Sequence, residues 1–223
     1  RLALAHTGDL QKLLFVRRHF GAHIAQSGVG ENDVGRHARF CGKRGTQLFA
    51  PKGQDTRPTQ DRVKESLFSI IQAYVPDAAV LDLFAGSGAL ALEALSRGAG
   101  SAALVDMDRE AAGCIRRNIE KLGFRECARL YQCEWRQALG RIKRDGLRFD
   151  LVFLDPPYRM TQLNEFCAVL SKDGLLSDGA MLALEHRGGI TPALGSGFTP
   201  YGERKYGDTE IHFFLYHEEE DAS

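Results

Sequence analysis

The spacing of hydrophobic residues changes once along the chain, at about residue 76. Before this point, apolar residues recur at helical spacing in a segment that opens on Thr59, a typical helix-capping residue: Val63, Leu67, Phe68 and Ile71. After it, short apolar runs alternate with amphipathic segments. The apolar runs predict strands at 79–85, 101–108, 128–132, 151–155, 181–186, 198–204 and 210–216. The amphipathic segments predict helices at 88–98, 109–122, 136–143 and 162–171.

Alternation of strands and helices predicts an α/β fold with a mostly parallel sheet and helices on both of its faces. In such folds, ligands bind outside the carboxyl ends of the strands. The residues that follow each predicted strand are therefore the first candidates for chemistry.

Charge is distributed unevenly, although the net charge of the 223 residues is zero. Residues 1–75 hold twelve Lys/Arg against six Asp/Glu, and most of this excess lies in residues 36–64. A basic segment attached to a more acidic body is typical of an arm that binds a polyanion such as nucleic acid. On charge alone, a solvated face without a partner is an equally good interpretation.

Composition divides the chain into four parts. Residues 1–35 form a poorly defined N-terminal extension, 36–58 a glycine-rich basic hairpin or arm, 59–217 the main domain, and 218–223 an acidic tail. The five cysteines are odd in number and contain no CxxC pair, which indicates free thiols in the cytoplasm and neither a zinc site nor a disulfide framework. No apolar run approaches the roughly 20 residues of a membrane-spanning helix.

The first predicted strand is followed by a glycine turn. Glycines let the backbone turn tightly against a ligand, and the helix that begins near Gly88 offers free N–H groups. The spacing GxGxxA resembles the dinucleotide fingerprint but is a weak signal by itself. The candidate ligand-binding residues here are Asp82, Phe84, Gly86, Ser87 and Gly88.

The second and third strands each end in an acidic residue. Asp106, followed by Met107, is placed to accept hydrogen bonds from a ribose diol, although a helix N-cap explains it equally well. Glu134 is a candidate acceptor for an adenine amino group. Trp135 offers a flat face to a base, and packing in the core is as good an interpretation.

The fourth strand ends in Asp155-Pro156-Pro157-Tyr158, a form of the (D/N)PP(Y/F) motif of amino-group methyltransferases that use S-adenosylmethionine. An exocyclic amine on a base is a poor nucleophile because its lone pair is drawn into the ring. Acceptors on its hydrogens, here the Asp155 carboxylate and the Pro156 carbonyl, return electron density to the nitrogen, and Tyr158 stacks on the base. This chemistry needs no metal. A nicotinamide dehydrogenase would explain the glycine turn and Asp106 but has no use for DPPY.

Several stretches together resemble the RsmD family, which methylates N2 of one guanine in bacterial small-subunit (16S) ribosomal RNA. They are PKGQDTRPTQDRVKESLF, VLDLFAGSGALALEALSRGA, FDLVFLDPPY, EH (185–186) and RKYGDTEIHFF. The resemblance implies the class I methyltransferase fold, a Rossmann-like seven-stranded mostly parallel sheet, with a small N-terminal β-hairpin. It further implies S-adenosylmethionine as cofactor, ribosomal RNA or a small-subunit particle as partner, and a monomer. By the same resemblance Arg57, Thr59 and Arg62 lie over the active site, and Lys43 and Arg44 of the hairpin contact RNA.

Two departures from the family pattern stand out. Glu134 replaces the usual Asp after the third strand, and the hairpin GKRGTQL is one residue shorter than usual. Two other functions stay open at this point: methylation of adenine in DNA or RNA, and a non-catalytic RNA-binding assembly factor.

Overall fold

The computed structural model describes residues 46–51, 58–157, 163–189 and 192–218. For residues 58–61 it describes the backbone and not the side chains. The predicted extension at 1–35, most of the predicted arm at 36–58 and the residues Lys43, Arg44, Arg57 and Tyr158 lie outside this range. None of the described helices is long and apolar enough to cross a membrane.

Seven strands form one sheet in the order β3-β2-β1-β4-β5-β7-β6. Strands β1 to β5 run parallel, and β7 pairs antiparallel with both β5 and β6. The predicted Rossmann-like, mostly parallel sheet is thereby confirmed. The strands are β1 (Ala79–Asp82), β2 (Ser101–Val105), β3 (Ala128–Tyr131), β4 (Phe149–Leu154), β5 (Leu176–Arg187), β6 (Phe198–Tyr206) and β7 (Thr209–Tyr216).

Five α-helices of the described residues flank the sheet: α1 (Pro58–Ile70), α2 (Ala89–Ser96), α3 (Arg109–Leu122), α4 (Trp135–Arg144) and α5 (Leu163–Lys172). A 3₁₀ turn at Gln72–Tyr74 follows α1. Helix α3 has both of its ends specified locally, because the Asp108 carboxylate accepts a hydrogen bond from the Ala111 N–H and Gly123 takes a left-handed conformation at the other end. Helix α1 begins at Pro58, a favoured first position, so Thr59 lies in its first turn and is not its cap.

The core consists of two apolar layers, one on each face of the sheet. Successive residues of β4 alternate between them, with Phe153 in one layer and Val152 in the other. Phe68 of α1 is fully buried and meets Phe153 edge to face, with ring centroids 5.9 Å apart. Replacing such a ring by alanine costs about 3–5 kcal/mol, so α1 is firmly held on the sheet.

Strand β5 begins five residues before the predicted 181–186. Its first part contains Ser177, Asp178 and Gly179, which are poor strand formers, and Gly179 has φ +79°. The pairing of β4 with β5 shifts register between Phe149 and Leu151, so this polar stretch is accommodated as an irregularity in the ladder. A pattern of hydrophobic alternation does not reveal such a segment.

Candidate active site

The candidate residues of four strands meet at the carboxyl edge of the sheet. The strand order reverses between β1 and β4, which makes this edge a topological switch point of the kind where α/β proteins bind ligands. Backbone hydrogen bonds continue to the edge, from Leu83 N–H to the Phe153 carbonyl at 3.1 Å and from Ala85 N–H to the Val105 carbonyl at 2.9 Å. The predicted residues that follow β1 to β4 here are Phe84, Gly86, Ser87, Gly88, Asp106, Met107, Glu134, Asp155, Pro156 and Pro157, with Asp82 as the last residue of β1.

The glycine turn after β1 depends on the absence of side chains. Gly86 has φ +54° and Gly88 φ +80°, both in the left-handed region. A Cβ on Gly88 would lie 2.9 Å from Leu104 Cδ2 and 3.2 Å from Leu92 Cδ1. Helix α2 follows directly, and Gly88 as its N-cap offers no side-chain acceptor to the first N–H groups. The start of α2 thus presents backbone donors at the switch point, whereas the N–H groups of Gly86 and Gly88 bond to Asp106 and to the Ala85 carbonyl.

Asp106 supports this turn from the neighbouring strand. Its Oδ2 accepts a hydrogen bond from the Gly86 N–H at 2.8 Å, and its Oδ1 accepts one from the Asp108 N–H at 2.9 Å. Burial raises the pKa of Asp106, and these two hydrogen bonds oppose the rise. The helix-capping role belongs to Asp108. Each Asp106 oxygen retains a second lone pair for a ligand.

Met107 is the most exposed large apolar side chain among the described residues, being 70 % exposed. It directly follows Asp106, so an apolar surface adjoins the carboxylate. Such a pair suits a nucleoside, whose sugar is polar and whose base has an apolar face.

Asp82 is fully enclosed beneath the glycine turn, and its Oδ2 accepts a hydrogen bond from the Ala91 N–H at 3.2 Å. Burial raises the pKa of Asp82 to about 7; the Ala91 hydrogen bond opposes this rise and the charge of Asp106 adds to it. Near neutral pH this carboxyl is therefore close to its midpoint of titration.

The DPP corner begins one residue after β4 ends. Pro156 is buried, which fixes the corner, while Asp155 and Pro157 are exposed. Asp155 reaches solvent on one side and is surrounded by protein on the other. Burial on its inner side raises the pKa of Asp155 well above the ordinary value, and the charges of Glu185 and Asp82 raise it further.

Glu185 is a residue that the sequence analysis left without a role. It lies near the carboxyl end of β5, beside β4, and burial raises its pKa. Together with Asp82 and Asp155 it forms a cluster of three carboxyl groups, here called the carboxyl cluster. An acidic residue at the end of the apolar run MLALEH was the signal that could have identified it.

Glu134 caps a helix, whereas its neighbour Trp135 is buried. Glu134 caps α4, its Oε2 accepting a hydrogen bond from the Arg136 N–H at 2.9 Å. Trp135 is only 4 % exposed and meets Phe166 edge to face at 4.8 Å, as Phe84 does at 5.1 Å. The Arg136 guanidinium lies 4.2 Å from the centroid of the indole. The structure thus places Trp135 in the core, which was the alternative interpretation.

A second residue absent from the sequence predictions is Asn118 of α3, which is completely buried. Its Nδ2 donates to the Ser87 carbonyl at 2.9 Å and to the Phe49 carbonyl at 2.9 Å, and its Oδ1 accepts from the Phe49 N–H at 2.8 Å. Arg117 and Lys121 of the same helix face the Phe49 ring, at 3.6 and 5.0 Å from its centroid. Asn118 therefore joins the glycine turn to residues 46–51.

The remaining predicted residues lie on α1 or outside the described residues. Arg62 is an exposed residue of α1, and Thr59 is described by its backbone only. The other four, Lys43, Arg44, Arg57 and Tyr158, stay predictions.

Known proteins resemble this chain in sequence and in fold. Ribosomal RNA small subunit methyltransferase D of Escherichia coli (strain K12) is 39 % identical over 142 residues, which cover 64 % of this chain and 70 % of the relative. The structure of the Escherichia coli protein yhhF superposes with a TM-score of 0.70 at 34 % identity, covering 79 % of this chain and 94 % of that one. An RNA methyltransferase from Salinibacter ruber, in complex with S-adenosyl-L-homocysteine, has a TM-score of 0.55 at 15 % identity and covers 75 % of this chain and 98 % of its own. This last likeness concerns the fold.

The family model described as "Conserved hypothetical protein 95" matches residues 41–215, more than half of the chain. The structure has the fold of the S-adenosylmethionine-dependent methyltransferases. The chain therefore belongs to the family of conserved hypothetical protein 95, the RsmD family that its sequence resembles.

Proposed function

We propose that this protein transfers the methyl group of S-adenosylmethionine to the exocyclic N2 amine of a guanine in small-subunit ribosomal RNA. The observation that carries the proposal is the position of the Asp155-Pro156-Pro157 corner, one strand away from the glycine turn and two from Asp106, at the switch point of the sheet. The relative from Escherichia coli, named as a ribosomal RNA small subunit methyltransferase, supports the choice of substrate.

The residues present fit S-adenosylmethionine as cofactor. Asp106 retains acceptor capacity for the ribose hydroxyls, the exposed Met107 offers an apolar surface to the adenine, and the uncapped start of α2 at Ala89 and Leu90 offers backbone donors. Glu134 is the acceptor that we assign to the adenine amine, with the lone pairs that its cap leaves free. Bound there, the cofactor supplies an electrophilic methyl group on a sulfonium.

Asp155 holds the amine. Its carboxylate accepts one amine hydrogen and the Pro156 carbonyl accepts the other, which directs the nitrogen lone pair toward the methyl group. The buried Pro156 keeps both acceptors in one orientation. Because the pKa of Asp155 is raised, its carboxylate also takes up the proton that the nitrogen releases after transfer.

RNA binding is assigned to the basic residues before and within α1. We place Lys43, Arg44, Arg57 and Arg62 on phosphates or on the guanine edge, and Tyr158 on the face of the extruded base. Asn118, Arg117 and Lys121 contact Phe49 and so anchor a point within this basic segment to the catalytic domain, 59–217. We expect a cytoplasmic monomer, in which the four described cysteines stay free thiols.

Base mapping tests the proposal. The protein is incubated with labelled S-adenosylmethionine and with naked ribosomal RNA, small-subunit particles or DNA, and the modified nucleoside is identified. N2-methylguanine in the RNA or the particle is the expected product. N6-methyladenine as the only product would replace the proposed substrate by adenine, and RNA binding without any methylated product would indicate a non-catalytic assembly factor.

A further inference from the structure

Two histidines and a glutamate form a compact cluster on the antiparallel side of the sheet. His186 lies on β5, and Glu210 and His212 lie on β7. The register pairs His186 with Glu210 and Leu184 with His212, so all three side chains emerge on one face. One nitrogen of each histidine and one Glu210 oxygen lie within 4.8 Å of one another. Glu185 projects to the opposite face, so this cluster is separate from the carboxyl cluster.

His186 is arranged as a ligand. Its Nδ1 lies 2.8 Å from the Arg187 carbonyl oxygen, and because a carbonyl only accepts, Nδ1 carries the hydrogen. Nε2 therefore presents a bare lone pair. It is buried and has no hydrogen-bond partner among the residues that the structure describes. Leaving such a lone pair unsatisfied is unfavourable, and a cation that it coordinates removes this penalty.

His212 is oriented in the same way. Its Nδ1 faces Glu203 Oε2 at 3.7 Å, and its Nε2 faces Glu210 Oε2 at 3.7 Å. Metal-bound histidines commonly direct their second ring N–H to a carboxylate or a backbone carbonyl. Glu203 and the Arg187 carbonyl lie at these supporting positions, which leaves both Nε2 atoms available to an ion.

We propose that His186, Glu210 and His212 bind one divalent transition-metal ion of the zinc class. Two imidazoles and one carboxylate are a ligand set that zinc uses, with water in the fourth position. Bonds of about 2 Å at tetrahedral angles place ligand atoms roughly 3.4 Å apart, so the three side chains close on the ion by a small side-chain movement. Lys205, which lies 3.0 Å from Glu210 Oε1, gives way because its side chain is 69 % exposed.

A cavity of about 270 Å³ is lined by Arg187, Gly188, Gly189, Lys205, Gly207 and Asp208, of which Lys205 contacts Glu210. A Cβ on Gly188 would lie 3.0 Å from Glu210 Oε1, so the glycine leaves room for the carboxylate. The ion would join β5 to β7 just beyond the catalytic edge, and methyl transfer does not use it.

Metal titration of the full chain, after treatment with a chelator, tests this inference. We expect one equivalent of Co²⁺ bound with visible bands typical of nitrogen and oxygen ligands, and its displacement by Zn²⁺. Loss of a supporting residue usually lowers metal affinity about 10–100-fold, so His186→Ala and the isosteric Glu210→Gln should each lower it by at least about 100-fold. His217→Ala is the matched control, because His217 is an exposed histidine paired with Asp178 outside the cluster.

Circular dichroism checks that each variant is folded, and Glu210→Gln preserves the shape of the site if His186→Ala does not fold. Sulfur-to-cobalt charge-transfer bands, or binding that cysteine alkylation abolishes, would assign the ion to the thiols and overturn the inference. Equal affinity in the wild type and Glu210→Gln, or no binding at millimolar metal, would overturn it as well.

Discussion

Asn118 satisfies both backbone polar groups of Phe49, accepting from its N–H at 2.8 Å and donating to its carbonyl at 2.9 Å. The same side-chain amide donates to the Ser87 carbonyl at 2.9 Å. One buried side chain thus fixes the glycine turn and a point within the basic segment to the same point of α3. Any change at this position acts on both.

Asn118→Ala should therefore reduce stability and weaken RNA binding together. It leaves three backbone groups without their partner, and we expect a loss of about 2–4 kcal/mol in the free energy of unfolding. Urea unfolding and the KM for RNA measure the two effects. Gln72→Ala is the control, since Gln72 is an exposed amide of the 3₁₀ turn after α1 and has no assigned role. An unchanged KM for RNA would limit Asn118 to a structural role.

Asp155→Ala should abolish most methyl transfer and retain most of the cofactor binding, because Asp82 and Glu185 remain. The alanine cannot accept the amine hydrogen, and removal of one such electrostatic contact typically costs about 10²–10³ in turnover. Single-turnover transfer and calorimetric titration of the cofactor separate the two effects. Asp173→Ala, at a surface carboxylate paired with Lys143, should behave as the wild type. Turnover of Asp155→Ala within a factor of two of the wild type would refute the catalytic assignment.

Asp82→Asn should change how stability depends on pH. The folded-state pKa of Asp82 is about 7 against an ordinary value of 3.8, so folding favours the protonated form. The stability that this proton confers is present below about pH 4 and is lost as pH rises toward 7. Between pH 5 and pH 8 the wild type should lose about 2–3 kcal/mol more than the variant.

Denaturant unfolding at both pH values measures this difference. The asparagine retains an oxygen for the Ala91 N–H, so the hydrogen bond itself is preserved. Asp178→Asn serves as a control at a surface carboxylate. Parallel pH profiles for the wild type and Asp82→Asn would contradict the raised pKa.

Gly88→Ala should destabilise the protein more than Gly146→Ala. Both positions have positive φ, +80° and +69°, so both variants carry the cost of a left-handed alanine. Only at position 88 does the new Cβ meet Leu104 Cδ2, at 2.9 Å; at position 146 nothing lies within 4 Å. The strained backbone accounts for about 1–2 kcal/mol in each, and thermal unfolding should show a larger loss for Gly88→Ala. Equal losses would show that Leu104 moves freely.

The double change Lys43→Gln and Arg44→Gln should weaken RNA binding and reduce its dependence on salt concentration. Each phosphate contact with a single strand contributes about 0.7 to the slope of log affinity against log salt. If both residues contact phosphate, the slope falls by about 1.4 while cofactor affinity is unchanged. Arg125→Gln with Lys143→Gln removes the same charge from surface ion pairs. A slope equal to the wild-type value would exclude contacts of these two residues with phosphate.

The order of the strands and helices could be predicted from the sequence, but not every residue at a strand end could be assigned a role. The order of elements and the residues after β1, β2 and β4 followed from hydrophobic spacing and from glycine, acid and proline at strand ends. Trp135 could not be assigned, because an aromatic residue at a strand end suits either a ligand or the core, and only the contacts with Phe166 and Arg136 distinguish them.

Residues that act through long-range contacts could not be predicted from the sequence. Asn118 lies mid-helix, 31 residues from Ser87 and 69 from Phe49, and no local pattern marks it. The metal-binding cluster likewise depends on the register of β5 against β7, since a shift of one residue would send His186 to the other face.

The carboxyl cluster has a consequence for the order of events at the edge of the sheet. Burial raises the pKa values of Asp82, Asp155 and Glu185, and the charges of Glu185 and Asp82 raise that of Asp155 further. A positively charged ligand lowers all three pKa values and is attracted in return. A sulfonium carries that charge and the thioether left after methyl transfer does not. We therefore expect the site to bind the thioether product, S-adenosylhomocysteine, less tightly than S-adenosylmethionine. Methyl transfer itself would then lower the affinity for the product and favour its release.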